Sequence, residues 1–346
     1  MAELDFQGLL PRYMDPQQIL PTPSTLDLLK SYSGLCAACA SYNATSVSDV
    51  EIKLLSGKTE IKSHPFLDLW EQPNELMVNA QFIIALQTYL ELTGEAYVKI
   101  VPGALTPVGE MYILPNYQIT PRFEGKELVG WRYNQIDLTL EEVVTFYNFD
   151  PLNPYGAGRG PTHAAWPYLS LLAEDTMAML SLLRKRGRPG ALISPDGQLG
   201  VINAGLSDRL RMWWNSFTGA RAGEAAVSPI PVKVDLLSVS SKDYQGSERA
   251  EFLKSLILNC YGIPSALFDS SASRAELDAA LVQYARQAID PRTTLLSSVI
   301  TNKIAKLFDE SLVVEFDWAL PEDDSGQPKP DGSKPKIPTN VGEDNA

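Results

Sequence analysis

Two helical runs meet at a break in the last third of the chain. Residues 247–261 carry Leu253, Leu256, Ile257 and Cys260 on one face. Gly262-Ile263-Pro264 then ends the run, because glycine accepts the left-handed geometry of a helix terminus and proline cannot extend the ladder. Ser273-x-x-Glu276 is a capping-box pattern that opens the next run, with Leu277, Leu281, Tyr284 and Ala288 on its face. No single rod can therefore pass through this region. The chain must turn at 262–273, and that turn is either a plain surface connection or a working part.

The rest of the pattern frames the break. Beyond it, Asp290-Pro291 is expected to interrupt the second run, and Leu296, Val299, Ile300, Ile304 and Leu307 resume helical spacing. Upstream, Leu169, Leu172, Thr176, Leu180 and Leu183 predict a long helix over 163–185, on the order of 30 Å at about 1.5 Å per residue. Residues 188–242 read as a small α/β insertion, with a strand at 190–194, a helix around "SDRLRMWWNSF" and strand material at 230–239. Nearer the start, "STLDLLKSYSGLCAACASYNATSV" reads as one helix capped by Ser24. "VEIKLLSGKTEI" reads as a hairpin turning at Ser56-Gly57, and residues 79–93 as a helix stopped by Gly94. Short strand-like pieces from "AYVKIV" to "VVTFYNF", punctuated by Pro, Gly and Asn, suit an antiparallel α+β domain. "SLVVEFDWAL" alternates like a further strand. The first 25 residues, rich in Pro and Gln, read as an arm. Residues from 321 onward, without periodicity, read as a disordered tail.

Charge and chemistry exclude several classes. The net charge is −13, but residues 161–260 carry 11 Lys and Arg against 9 Asp and Glu, whereas residues 1–160 carry 10 against 19. Tight nucleic-acid binding draws its affinity from Lys and Arg at phosphates, so the overall balance opposes it. It suits a protein that lets DNA pass without sticking. The basic charge concentrates in Arg184, Lys185, Arg186 and Arg188, either completing a helix dipole or touching phosphate. Gly156-Ala-Gly-Arg-Gly160 lacks the ending of a phosphate loop. His64 and His163 lie near no Ser or Cys in a nucleophile arrangement. Cys36 and Cys39 have no second pair to complete a zinc site and read as small apolar residues, i and i+3, on a helix. Glu141-Glu142 and Asp323-Asp324 read as solvated surface, and Trp213-Trp214 as one indole toward a core and one toward a partner. No catalytic, cofactor or metal constellation emerges, and no run of about 18 apolar residues marks a membrane span.

An ordered set of segments resembles the portal protein of tailed double-stranded DNA bacteriophages, of the long-tailed type. The set is "HPFLDLWEQPN", "QFIIALQTYLELTGEAYVKIV", "MYILPNYQITP", "VVTFYNFDPLNPYGAGRGPTHAA", "LRKRGRPGALIS" and "LNCYGIPSALF", and it spans about residues 24–318. Val78 stands where the family often caps a helix with Thr, and Thr145 where a His is frequent. The resemblance implies a portal fold: an arm (1–23), a wing (24–163), a first stem helix (164–187), a clip (188–243), a second stem helix (244–262), a tunnel loop (263–275), an upper wing helix with a reduced crown (276–320) and a tail (321–346). It implies a ring, usually of twelve subunits, at one capsid vertex of the virion, assembled in the host cytoplasm. Double-stranded DNA would pass through its channel. Its partners would be the terminase large subunit, which hydrolyses ATP, a head–tail connector and the major capsid or scaffolding protein. The chain itself would not be an enzyme. In that frame Phe268, Asp269, Ser270, Ser271, Ser273 and Arg274 belong to the tunnel loop, with Ala272 among the small residues that let it flex. Arg184, Lys185, Arg186 and Arg188 would lie near the junction of stem and clip. The rival readings are a connector subunit without a translocation role, and a metal-dependent hydrolase or nuclease using acidic residues.

Overall fold

The computed structural model describes residues 23–124, 127–151, 158–184, 190–195, 205, 208, 212, 232–237, 246–269 and 271–317. The chain divides into two compact units, one of residues 1–167 with 254–346 and the other of residues 168–253.

In chain order the elements begin with α1 (Thr25–Lys30) and α2 (Gly34–Ser48). Ser24 caps α1 as the sequence predicts, in a reciprocal box with Asp27. The single helix expected here is two, because the chain turns at Ser31–Ser33 and Gly34 enters α2 with φ +53°. β1 (Glu51–Ser56) and β2 (Thr59–Ile61) form the hairpin, whose turn is Gly57-Lys58, one residue later than expected. Then come α3 (Pro65–Glu71), α4 (Asn79–Leu92), β3 (Glu95–Val101), β4 (Glu110–Leu114), β5 (Ile119–Glu124), β6 (Glu127–Tyr133), β7 (Ile136–Thr139) and β8 (Val143–Tyr147). α4 starts at Val78 without a side-chain cap, and the backbone N–H of Val78 donates to Gln81 Oε1 at 3.3 Å instead. After α5 (Pro161–Arg184), β9 (Gly190–Pro195) and β10 (Val232–Leu237) comes α6 (Gly246–Cys260).

The last stretch corrects the sequence reading. α7 (Arg274–Tyr284) passes through a π turn (Ala285–Ile289) into α8 (Asp290–Ile300), a second π turn (Thr301–Ala305) and α9 (Lys306–Phe308). Asp290-Pro291 does not interrupt the helix. Proline lacks a backbone donor and its ring crowds the preceding turn, and the wider π turn just before it makes the room. β11 (Leu312–Asp317) follows.

In the first unit the sheets are antiparallel, ordered β11-β1-β2, β4-β3-β8 and β5-β6-β7. α2 lies along α4. Its buried Cys36, Cys39, Ala40 and Ala44 are small enough to let the two backbones approach. Both cysteines are free thiols on an apolar face, and burial pushes the Cys39 thiol up to about 12. Tyr97 and Trp131, with ring centroids 5.0 Å apart, join β3 to β6 in a second cluster with Leu114, Ile119, Leu138 and Val143. In the second unit β9 and β10 pair antiparallel, and Arg249 Nε of α6 meets Asp175 Oδ2 of α5 at 3.1 Å.

Candidate functional site

The break at Gly262 is a helix terminus closed by its own backbone. Ile263 N–H donates to the Leu258 carbonyl at 2.9 Å and Gly262 N–H to that of Asn259 at 3.0 Å. This is the pairing in which a residue of left-handed geometry closes a helix. Gly262 has φ +74°, and a Cβ there would stand 3.2 Å from Ala288 Cβ, so glycine is required twice over. Ile263 is buried behind it, and Pro264 bars continuation.

The turn that follows is held by short-range bonds. Ser265–Phe268 forms one 3-10 turn. Asp269 Oδ1 accepts from Ser271 N–H at 2.8 Å and from Ser271 Oγ at 2.6 Å, which holds the exposed Asp269 carboxyl below its usual value. The predicted capping box opens α7: Ser273 Oγ accepts from Glu276 N–H at 3.3 Å, and Ser273 N–H donates to Glu276 Oε2 at 2.7 Å. The bond from the Ser273 backbone draws the Glu276 carboxyl down as well. Phe268 leans on Tyr42, ring centroids 5.7 Å apart, and Tyr42 in turn on Tyr284 at 5.2 Å. Asp269, Ser271, Ser273 and Arg274 thus stand together on an exposed turn anchored by one aromatic ring.

Beneath the turn lies a buried polar network that no sequence motif announces. Glu91, 1 % exposed, accepts from Arg292 Nε at 2.5 Å and Nη2 at 2.9 Å, from Gln87 Nε2 at 2.6 Å and from Asn43 Nδ2 at 3.1 Å. The Tyr261 carbonyl, at the very end of α6, accepts from Asn43 Nδ2 and Arg292 Nη2, each at 3.1 Å. Tyr284 donates its hydroxyl to Asn43 Oδ1 at 2.9 Å, and the Tyr261 hydroxyl lies 2.7 Å from Thr162 Oγ1. Burial alone would push the Arg292 guanidinium down, but Glu91 outweighs it and holds the pKa above its ordinary value. The network therefore fastens α2, α4, the first turn of α5, the end of α6 and α8 at one point. A cleft of about 470 Å³ opens beside it, with Gly262, Arg159 and Arg292 on its walls.

The remaining sequence candidates separate. Ser270, Lys185, Arg186 and Arg188 lie outside the described residues, as do Trp213, Trp214 and the pair Asp323-Asp324. Arg184 is the last residue of α5 and belongs to the second unit, whereas the turn at 265–273 belongs to the first. His163 accepts at Nδ1 from Gly160 N–H, 3.2 Å away, and its burial, with Arg159 nearby, lowers its pKa. Glu141 is exposed, and Glu142 bonds the Thr139 backbone. Among the described residues no group of three His, Cys, Asp or Glu could hold a metal ion, and no helix is long and apolar enough to cross a membrane.

Comparison with known proteins gives this arrangement a context. The sequence model of the family described as "Phage portal protein" matches residues 36–324. An uncharacterized protein of Rickettsia bellii (strain RML369-C) is 24% identical over 296 residues, covering 81% of this chain and 76% of its own. Among solved structures, an HK97 family phage portal protein from Corynebacterium diphtheriae is similar with a TM-score of 0.65 and 12% identity, over 86% of this chain and 95% of that one. A chain in the neck of the empty GTA particle, computed with C6 symmetry, gives 0.65 and 19% over 85% of both. One in the neck of the native gene transfer agent particle, computed with C12 symmetry, gives 0.62 and 19% over 85% and 83%.

Proposed function

This chain belongs to the phage portal protein family, and on that premise we propose that its copies form a ring around a channel for double-stranded DNA at one capsid vertex. The observation that carries the reading is α5. From Leu171 onward this helix exposes Leu171, Met177, Met179 and Leu180, at 38%, 67%, 49% and 41%. A long helix with an uncovered apolar surface is unstable alone in water and calls for neighbours. Identical copies around an axis supply them, and a ring of twelve matches the symmetry of the native gene transfer agent neck. The acid excess of the chain suits a bore that turns phosphate away and lets DNA slide.

Within that ring, residues 164–187 and 244–262 act as stem helices, 188–243 as the clip and 263–275 as the tunnel loop. Phe268 anchors the loop, and Asp269, Ser271, Ser273 and Arg274 face the DNA together with Ser270. Arg184, Lys185, Arg186 and Arg188 meet phosphate in passing, or an acidic partner. Terminase large subunit docks on the ring during packaging and supplies the ATP hydrolysis, and a head–tail connector replaces it afterwards. Electron microscopy of the purified chain tests the assembly, with a closed annulus expected and a uniform single subunit decisive against it. Deleting residues 268–272 tests the loop. Rings should persist while DNA packaging or retention drops, and unchanged packaging removes the loop's role.

A further inference from the structure

The first unit contains one strand edge that is left unpaired beside a groove. The other sheet edges with printed partners are closed. On β4, Met111 N–H donates to the Pro73 carbonyl and its own carbonyl accepts from Asn74 Nδ2, both at 2.7 Å. On β11, Val314 N–H donates to Thr301 Oγ1 at 2.9 Å and its carbonyl accepts from Ser297 Oγ at 2.5 Å. On β7, Thr139 N–H donates to Glu142 Oε2 at 2.8 Å. β8 differs. Its register with β3, together with the bonds from Asn148 N–H to Gly94 and from Ile100 N–H to Glu142, turns the backbone groups of residues 142, 144, 146 and 148 toward β3. Those of Val143, Thr145 and Tyr147 point the other way, and among the described residues nothing bonds to them.

That edge forms one wall of a groove of about 760 Å³. Ile100 and Trp131 lie at its apolar base, Val143 and Thr145 on the β8 side, and Lys303 and Leu307 on the helical side. A strand edge facing a helix across an apolar groove is the geometry in which an extended segment adds to a sheet, main-chain bonds giving affinity and side-chain pockets giving register. Folded chains normally blunt such edges, as β4, β11 and β7 are blunted here.

We infer that the β8 groove receives an extended segment of a second copy of this chain, continuing the β4-β3-β8 sheet across the subunit boundary. The inference rests on the portal reading. Around a closed ring every contact is heterologous, so each copy must present a socket to one neighbour and a different surface to the other. The groove has the features of such a socket: directional, apolar at its base, and complete only when occupied.

Hydrogen exchange on the full chain, measured in rings and in dissociated subunits, tests this. The amides of Val143, Thr145 and Tyr147 should exchange at least about tenfold more slowly in rings. Thr145→Pro removes an outward donor and no β3 bond, as an edge position permits. It should raise the concentration needed for assembly by about tenfold, the equivalent of roughly one hydrogen bond per contact. Thr145→Val keeps the N–H and should assemble as the unaltered chain does. Equal exchange in rings and subunits overturns the inference, as does a folded Thr145→Pro chain that assembles at the ordinary concentration. If Thr145→Pro does not fold, exchange on the unaltered chain decides alone. Rings with an open β8 edge sink this inference and leave the portal reading standing, whereas the absence of rings sinks both.

Discussion

The end of α6 and the middle of α5 are both helical, yet they are held in opposite ways. At the end of α6 every strong polar group finds its partner inside the chain: the Tyr261 carbonyl, Glu91, Arg292 and Asn43 satisfy one another across five elements. In the middle of α5 the apolar side chains face solvent. The first region is complete as a single subunit. The second is complete only in company. A conduit assembled from separate chains needs both, since the subunit must fold before it meets its neighbours and still keep a surface for them.

The sharpest way to break this comparison is at Glu91. Glu91→Ala strands a buried guanidinium, and losing one member of a buried pair typically destabilises by about 3–5 kcal/mol. Urea denaturation of dissociated subunits should show this loss, with no ring required for the effect. Exchanging Glu91 and Arg292 together for Leu and Met should recover most of it, because no charge is then left alone. A small change in the single variant would mean that water, not the network, satisfies Arg292.

The opposite outcome is expected on α5. Met177→Glu with Leu180→Glu places charge on residues already exposed, so the subunit should unfold within about 0.5 kcal/mol of the original. Assembly should suffer, on the order of 2 kcal/mol per contact for each polar group buried without a partner. Sedimentation at a series of concentrations separates the two. If rings form as before, α5 is not the contact surface and the contrast between the regions disappears.

Local chemistry was legible in the sequence, and long-range chemistry was not. Gly262, Pro264, Ser273 and Glu276 each act on their immediate neighbours, so their pattern foretold both the helix stop and the capping box. The stripe of α5 was visible as spacing, but spacing cannot tell a core from an intersubunit face. Pro291 misled, because a π turn is set by packing around Arg292 and not by composition. The network escaped altogether. Asn43 meets residues 48, 218 and 241 positions away, and Glu91 looks like one more acidic residue on an apolar helix. Only the fold brings them together.

The smallest effect sharpens the comparison within the turn itself, whose two ends are made of different bonds. The Gly262 end uses backbone donors and acceptors alone, whereas the Asp269 and Ser273 end depends on carboxylates. Asp269 and Glu276 both have folded values below their ordinary ones, through their bonds to Ser271 and Ser273. A depressed carboxyl contributes stability that is fully present above the unfolded value of about 4 and is lost as pH falls through the folded value. Between pH 6 and pH 2.5 the amides of Ser271 and Glu276 should therefore lose protection relative to their intrinsic exchange rates, while that of Ile263 should not. Asp269→Asn and Glu276→Gln should remove the difference. If Ile263 loosens in step with the others, the turn opens as one piece, and the buried network reaches further into it than its bonds indicate.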